Sequence, residues 1–167
     1  LIDQADRYSL SQIFKEYGEE RLASRIAKSI KEMTAMNAIA DLREAIRRCT
    51  PPNHRDRTFA RIFQALRIAV NEELDILQKF LTKFIDYLRP GGRIVIISYH
   101  SLEDRLVKNA FREWSSSCVC IPGLPICTCR GEPLGTTLTR SPLGPSDIEI
   151  ARNPRSRSAR LRAWRKS

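Results

Sequence analysis

The 167 residues suffice for one domain, or one and a fraction, with a core of real size. Twenty-nine Lys and Arg against 19 Asp and Glu leave a net charge of +10, which points to a polyanionic partner without separating nucleic acid from an acidic protein or a membrane surface. No apolar run nears the roughly 20 residues of a bilayer span and no signal peptide is visible, so a soluble, cytoplasmic protein is expected.

In chain order, residues 8 to 49 read as two or three short helices. Leu10, Ile13, Phe14 and Tyr17 share one face at spacings of three and four; Gly18 interrupts, and Leu22, Ile26, Ile30 and Met33 resume the pattern. The Lys and Arg residues on the other faces alternate with acids and read as a solvated surface. Pro51 and Pro52 end this region. From Thr58, a plausible N-cap, apolar positions recur through Phe59, Ile62, Phe63, Leu66, Val70, Leu74, Leu77, Leu81, Phe84 and Leu88. Unbroken, such a helix would reach about 45 Å at ~1.5 Å per residue, so a kink or break near Asn71 or Asp75 is expected.

Pro90, Gly91 and Gly92 then turn the chain into Ile94-Val95-Ile96-Ile97, an apolar run without polar alternation, as expected of a central parallel strand covered on both faces. Ser101, with Asp104 three residues on, reads as a capping box that opens a helix through Leu102, Leu106, Val107, Phe111 and Trp114. Ligands of open parallel sheets bind beyond the carboxyl ends of strands, and that end here carries Ser98, Tyr99 and His100. Regular structure lapses from Ser115 to Leu134. Thr136 to Arg140 reads as a strand, Pro145-Ser146-Asp147 as the start of a helical turn, and Ala159 to Trp164 as a last strand, the two strands able to pair antiparallel.

Each candidate has a functional and a plain reading. His100 either orients or deprotonates a substrate, or is hydrogen-bonded to backbone at a crowded junction. Ser101 reads as a helix cap before a nucleophile, and Glu103, Asp104 and Arg105 as surface pairs in a first helical turn. Cys118, Cys120, Cys127 and Cys129, in two C-x-C pairs, either bind zinc or form a reduced, Pro-braced loop; the crowding of four of the five cysteines here speaks for reduced thiols. From Arg140 to Lys166, eight Arg or Lys face Asp147 and Glu149. Arg152, Arg155, Arg157, Arg160, Arg162 and Arg165 suit forked contacts to phosphates, against the alternative of a solvated basic tail. Arg67 and Asn71, one helical turn apart, either face a common pocket or form an ordinary polar flank.

Three stretches carry a resemblance. FQALRIAVNEEL from Phe63 to Leu74, GGRIVIISYHSLEDRLVK from Gly91 to Lys108 and IARNPRSRSARLR from Ile150 to Arg162 resemble the signatures of bacterial small-subunit ribosomal RNA (cytosine-N4)-methyltransferases. The C-x-C loop is similar to one that many members carry. The resemblance covers essentially the whole chain but only the C-terminal part of a full-length member. It implies an α/β fold: a partial class I, Rossmann-like methyltransferase sheet with an inserted helical subdomain at residues 1–50, the remainder of the methyltransferase domain and its basic tail occupying 51–167.

It also implies S-adenosylmethionine as cofactor and small-subunit ribosomal RNA, or the assembled subunit, as partner, with a homodimer or a separate N-terminal half as further assemblies. Ser98, His100 and Ser101 are the implied catalytic residues, and Arg67, Asn71, Arg152, Arg155, Arg157 and Arg160 the implied RNA contacts. No residue here is assigned to cofactor or metal. The family's cofactor loop, ribose-binding acid and target-base motif lie upstream of Leu1, and the chain has no initiator Met, so it is expected to be a fragment. The rivals are a non-catalytic RNA-binding module and a split subunit.

Overall fold

In the computed structural model, which describes residues 1–34, 36–118, 120 and 131–167, tertiary contacts close within two units, Leu1–Glu73 and Leu74–Ser167. The first unit therefore runs past residue 50, because a fourth helix shares the core of the preceding three.

That unit contains α1 (Arg7–Glu16), α2 (Ala23–Lys31), α3 (Ile39–Cys49) and α4 (Arg55–Asn71). Asp6 caps α1 by accepting the Ser9 amide at 2.6 Å. The threefold and fourfold spacing delivers Leu10 and Phe14 of α1, Ile26 of α2, Ile46 of α3 and Ile62 of α4 to one core, all fully buried. Each such side chain contributes about 1.5–3 kcal/mol through burial. The Ser29 hydroxyl donates to the Ala45 carbonyl at 2.9 Å and ties α2 to α3 inside that core.

Thr58 is not an N-cap. It is a buried residue in the first turns of α4, whose N-cap is His54. The expected break falls at Glu72, which takes a left-handed φ of 52° and so ends α4. The chain resumes as α5 (Glu73–Tyr87).

The second unit holds most of α5, followed by β1 (Arg93–Ser98), α6 (Ser101–Trp114), β2 (Gly135–Thr137), α7 (Asp147–Arg152) and β3 (Arg160–Lys166). The described sheet has the order β1-β3-β2, and both pairings are antiparallel. The last two strands pair as expected, while β3 also takes the side of β1. Gly91, at φ 74°, makes the turn into β1, and its amide donates to the Lys166 carbonyl at 3.1 Å, setting the β1–β3 register.

The expectation of a strand covered on both faces is corrected for the described residues. Ile94 and Ser98 are buried, but Val95 and Ile97 are 56% and 53% exposed. Four branched residues gave no alternation to read, yet the pleat still sends alternate side chains to opposite faces. One face packs on Leu81 and Ile85 of α5 and on Val107, Phe111 and Trp114 of α6, around the fully buried Trp164 of β3. Trp114 and Trp164 meet edge to face at 5.1 Å. Gly135 of β2 lies against the Trp164 ring and the Arg165 carbonyl so closely that any Cβ would collide with both. None of the described helices is long and apolar enough to cross a membrane.

Candidate functional site

The turn from β1 into α6 is built by reciprocal capping. His100, with extended backbone, is the N-cap, and its Nδ1 accepts the Glu103 amide at 3.3 Å. In return, Glu103 Oε2 accepts the amides of Tyr99 at 2.9 Å and His100 at 3.3 Å. The cap is thus His100 with Glu103, not Ser101 with Asp104; Ser101 is the first helical residue and is exposed. Because both cap acceptors satisfy orphan amides of the first turn, the junction is held in one conformation.

That geometry decides the tautomer of the ring. With the Nδ1 lone pair engaged by an amide, neutral His100 carries its proton on Nε2. Nε2 is buried and lies 3.3 Å from Glu103 Oε1, yet off the line of a hydrogen bond. Burial pushes the Glu103 carboxyl up, but the adjacent His100 side chain and the Tyr99 and His100 amides outweigh it and hold the carboxyl below its ordinary value. A depressed folded pKa means stability that is present above the unfolded value and lost as pH falls through the folded one. Glu103→Ala is therefore expected to cost about 1 kcal/mol at neutral pH, and Glu103→Gln less, in urea unfolding. Equal stability of the Ala variant and the parent would mean that Glu103 does not stabilise the start of α6.

Ser98, the last residue of β1, is buried at 2% exposure and sits opposite Arg160 in the β1–β3 register. Register thus brings Arg160, the first residue of β3, beside the start of the Ser98–Ser101 turn. Asp104 of α6 is not a surface residue. It is 5% exposed and grips the buried Arg162 with a two-pronged contact, Nε to Oδ1 at 2.6 Å and Nη2 to Oδ2 at 3.0 Å, with Arg160 Nη1 at 3.4 Å. Arg162 is thereby withdrawn from the arginines available to phosphate. Period two along β3 carries the signal, since Arg162 falls on the same face as Trp164.

Arg152, Arg155 and Arg157 are exposed and make no ion pair among the described residues. Arg152 ends α7, and Arg155 and Arg157 lie on the 3-10 turn Pro154–Ser158 that follows it. Asn153 Oδ1 accepts the Arg155 amide at 3.2 Å, and the buried Ser156 hydroxyl donates to the Asn153 carbonyl at 2.8 Å. Neighbouring guanidiniums on such a turn suit successive phosphates.

Arg67 and Asn71 do converge, but on a protein carboxylate. Arg67 donates through Nε and Nη2 to the two oxygens of Glu73 at 2.8 and 3.0 Å, and Asn71 Nδ2 to Glu73 Oε1 at 3.1 Å. Cys127 and Cys129 lie outside the described residues, and with them the four-cysteine zinc reading.

The whole chain, residues 1–167, matches a family model described as the MraW methylase family. It is 51% identical over 168 residues to the ribosomal RNA small subunit methyltransferase H of Gemmatimonas aurantiaca, with 99% of this chain and 53% of that protein covered. The protein of the same name from Syntrophotalea carbinolica is 49% identical over 94% of this chain and 52% of its own length. That of Symbiobacterium thermophilum is 43% identical over 98% and 53%. The chain spans about half the length of the curated relatives it matches. Since the family model takes in every residue, including the capped turn and the arginine-bearing segment, the chain belongs to the MraW methylase family.

Proposed function

We propose that this chain is the C-terminal portion of a cytoplasmic enzyme that methylates the exocyclic N4 amine of a cytosine in small-subunit ribosomal RNA, with S-adenosylmethionine as methyl donor. The observation that carries this reading is the family match over residues 1–167 together with relatives named as ribosomal RNA small subunit methyltransferases. Residues 1–50 are read as the inserted helical subdomain, and 51–167 as the closing part of the methyltransferase domain.

The cofactor does not fit the residues present here. The chain passes from β1 to α6 through Ser98, Tyr99, His100 and Ser101, with no glycine, and no other described strand runs through a glycine-rich turn into a helix. No step is therefore assigned to the cofactor. What this chain supplies is acceptor placement and RNA grip.

The cytosine amine is conjugated with its ring and weakly nucleophilic, so it must be aligned after the base leaves its stack. His100 is read in an orienting role ahead of a general-base one: with Nε2 buried, it acts by fixing the capped turn that carries Ser98 and Ser101. Ser98 and Ser101 flank it in the same turn, Ser98 buried and Ser101 exposed. Arg152, Arg155, Arg157 and Arg160 hold RNA backbone in this reading, and Arg67 and Asn71, whose donors are engaged by Glu73, are further RNA contacts.

The test incubates the longer protein with S-adenosylmethionine and small ribosomal subunits, then identifies methylated nucleosides by mass spectrometry. N4-methylcytidine is expected; methyl groups only on other atoms, or none, would sink the reading. In that assay His100→Ala should lower kcat about 100-fold with little change in RNA affinity, and equal losses in both would make the residue structural. Arg155→Ala with Arg157→Ala should weaken RNA binding and flatten the log affinity against log salt slope by about 1.4 for single-stranded RNA. An unchanged slope would take the turn out of the interface.

The second reading, a non-catalytic RNA-binding module, is favoured by the ordered turn that displays Arg155 and Arg157. Clear S-adenosylmethionine binding by this chain alone would exclude it.

A further inference from the structure

The helical unit carries a feature that the capped turn and the arginine turn do not use. Ile39 and Arg43 of α3 and Asp56, Phe59 and Phe63 of α4 line an open cavity of about 310 Å³. The Arg43 guanidinium lies over the half-buried Phe59 ring, 5.2 Å from its centroid, and Arg47, one turn further on, lies at 6.0 Å. Arg43 makes no ion pair among the described residues, whereas Arg47 and Arg48 share Glu44 at 4.0 and 3.5 Å. From Arg43 to Arg57 the chain has five arginines against Glu44 and Asp56.

We propose that Arg43, Phe59 and Asp56 form a seat for one unpaired RNA base, an RNA contact of the helical unit separate from the arginine turn. The inference rests on the RNA-substrate reading above and deepens it. A ring capped by a guanidinium offers a flat, cationic stack on which a base can lie, and stacking of this kind serves single strands because paired bases hide their faces. The arginines around the cavity suit the flanking phosphates. Asp56 repels phosphate from the cavity itself and accepts hydrogen bonds, so it favours a base edge bearing an amino group, as in cytosine, adenine or guanine, over uracil. An acidic protein partner fits less well, since Asp56 would face its carboxylates and nothing in such a partner requires the exposed ring stack.

The test uses this chain without cofactor, so that its outcome does not depend on methyl transfer. The probe is a single-stranded 12-nucleotide RNA carrying one 2-aminopurine, with a duplex of the same sequence as control. Phe59→Leu keeps apolar volume against Phe63, and Arg43→Gln keeps the side-chain stem. Each is expected to weaken single-strand binding roughly 5- to 100-fold and to relieve the quenching of 2-aminopurine, with little effect on the duplex. Phe59→Leu should leave the salt slope unchanged, and Asp56→Asn should reduce discrimination against uridine. Unchanged affinity and emission in both stacking variants would overturn the seat and leave Arg43 as a cover for Phe59. Equal loss on the duplex would overturn it as a base-stacking site. Should Phe59→Leu fail to fold, judged by circular dichroism, the exposed Arg43→Gln variant decides alone.

Discussion

Asp104→Ala is expected to destabilise the 74–167 unit by about 3–5 kcal/mol, because it leaves the Arg162 guanidinium buried with no counter-charge. Asp104 and Arg162 are 5% and 8% exposed, and their two hydrogen bonds, at 2.6 and 3.0 Å, are the contacts that the substitution removes. Asp104→Asn keeps the shape but not the charge and should recover only part of the loss. Replacing both partners by apolar residues of similar volume should be far milder than either single change. The pair also fixes a pH dependence. The Arg162 hydrogen bonds hold the Asp104 carboxyl below its ordinary value against the opposing effect of burial, with Arg160 adding to the shift. A carboxyl depressed in the folded state contributes stability that is complete above its unfolded pKa and disappears as pH falls through the folded one. Acid unfolding followed by circular dichroism should accordingly have a shallower limb in Asp104→Ala than in the parent. If the two limbs coincide and stability at neutral pH is unchanged, the pair does not hold α6 to β3.

Trp164→Ala should cost a similar amount, about 3–5 kcal/mol, through the cavity left under β3. Trp164 is fully buried, meets Trp114 at 5.1 Å, and donates from Nε1 to the Ser115 hydroxyl at 3.0 Å. Gly135 approaches the same ring, so β2 loses its seat along with α6. Trp164→Phe restores much of the volume but not the indole hydrogen bond and should fall between. Amide hydrogen exchange gives a sharper reading than a single melting curve, because the chain divides into two units and a two-state description need not hold. Protection should fall across β1, α6 and β2 and stay unchanged in α1 to α3. Loss spread evenly over the chain would contradict that division.

These two side chains mark where reading the residues stops. Local pattern alone determined the helices, since threefold and fourfold spacing survives any tertiary context: Leu10 and Phe14, Ile26 and Ile30, and Val107 and Phe111 are buried as their periods require. It also placed the turn at Gly91, the break near Asn71, the short helix after Ser146 and the antiparallel closing strands. The three motifs, by resemblance, identified the family. What the residues taken one after another did not carry was long-range pairing. Ile94 to Ile97 shows no alternation, so only the docking of α5 and α6 on one side of β1 decided which faces are covered. Asp104 and Arg162 are 58 positions apart and read singly as surface charges; the β1–β3 register and the approach of α6 made them a buried pair. Likewise, Ser101 and His100 are both adjacent to the first turn of α6, and only the reciprocal bonds with Glu103 decided which one caps it. Spacing along a chain is set by covalent geometry, whereas a charge is buried or exposed according to what folds back over it.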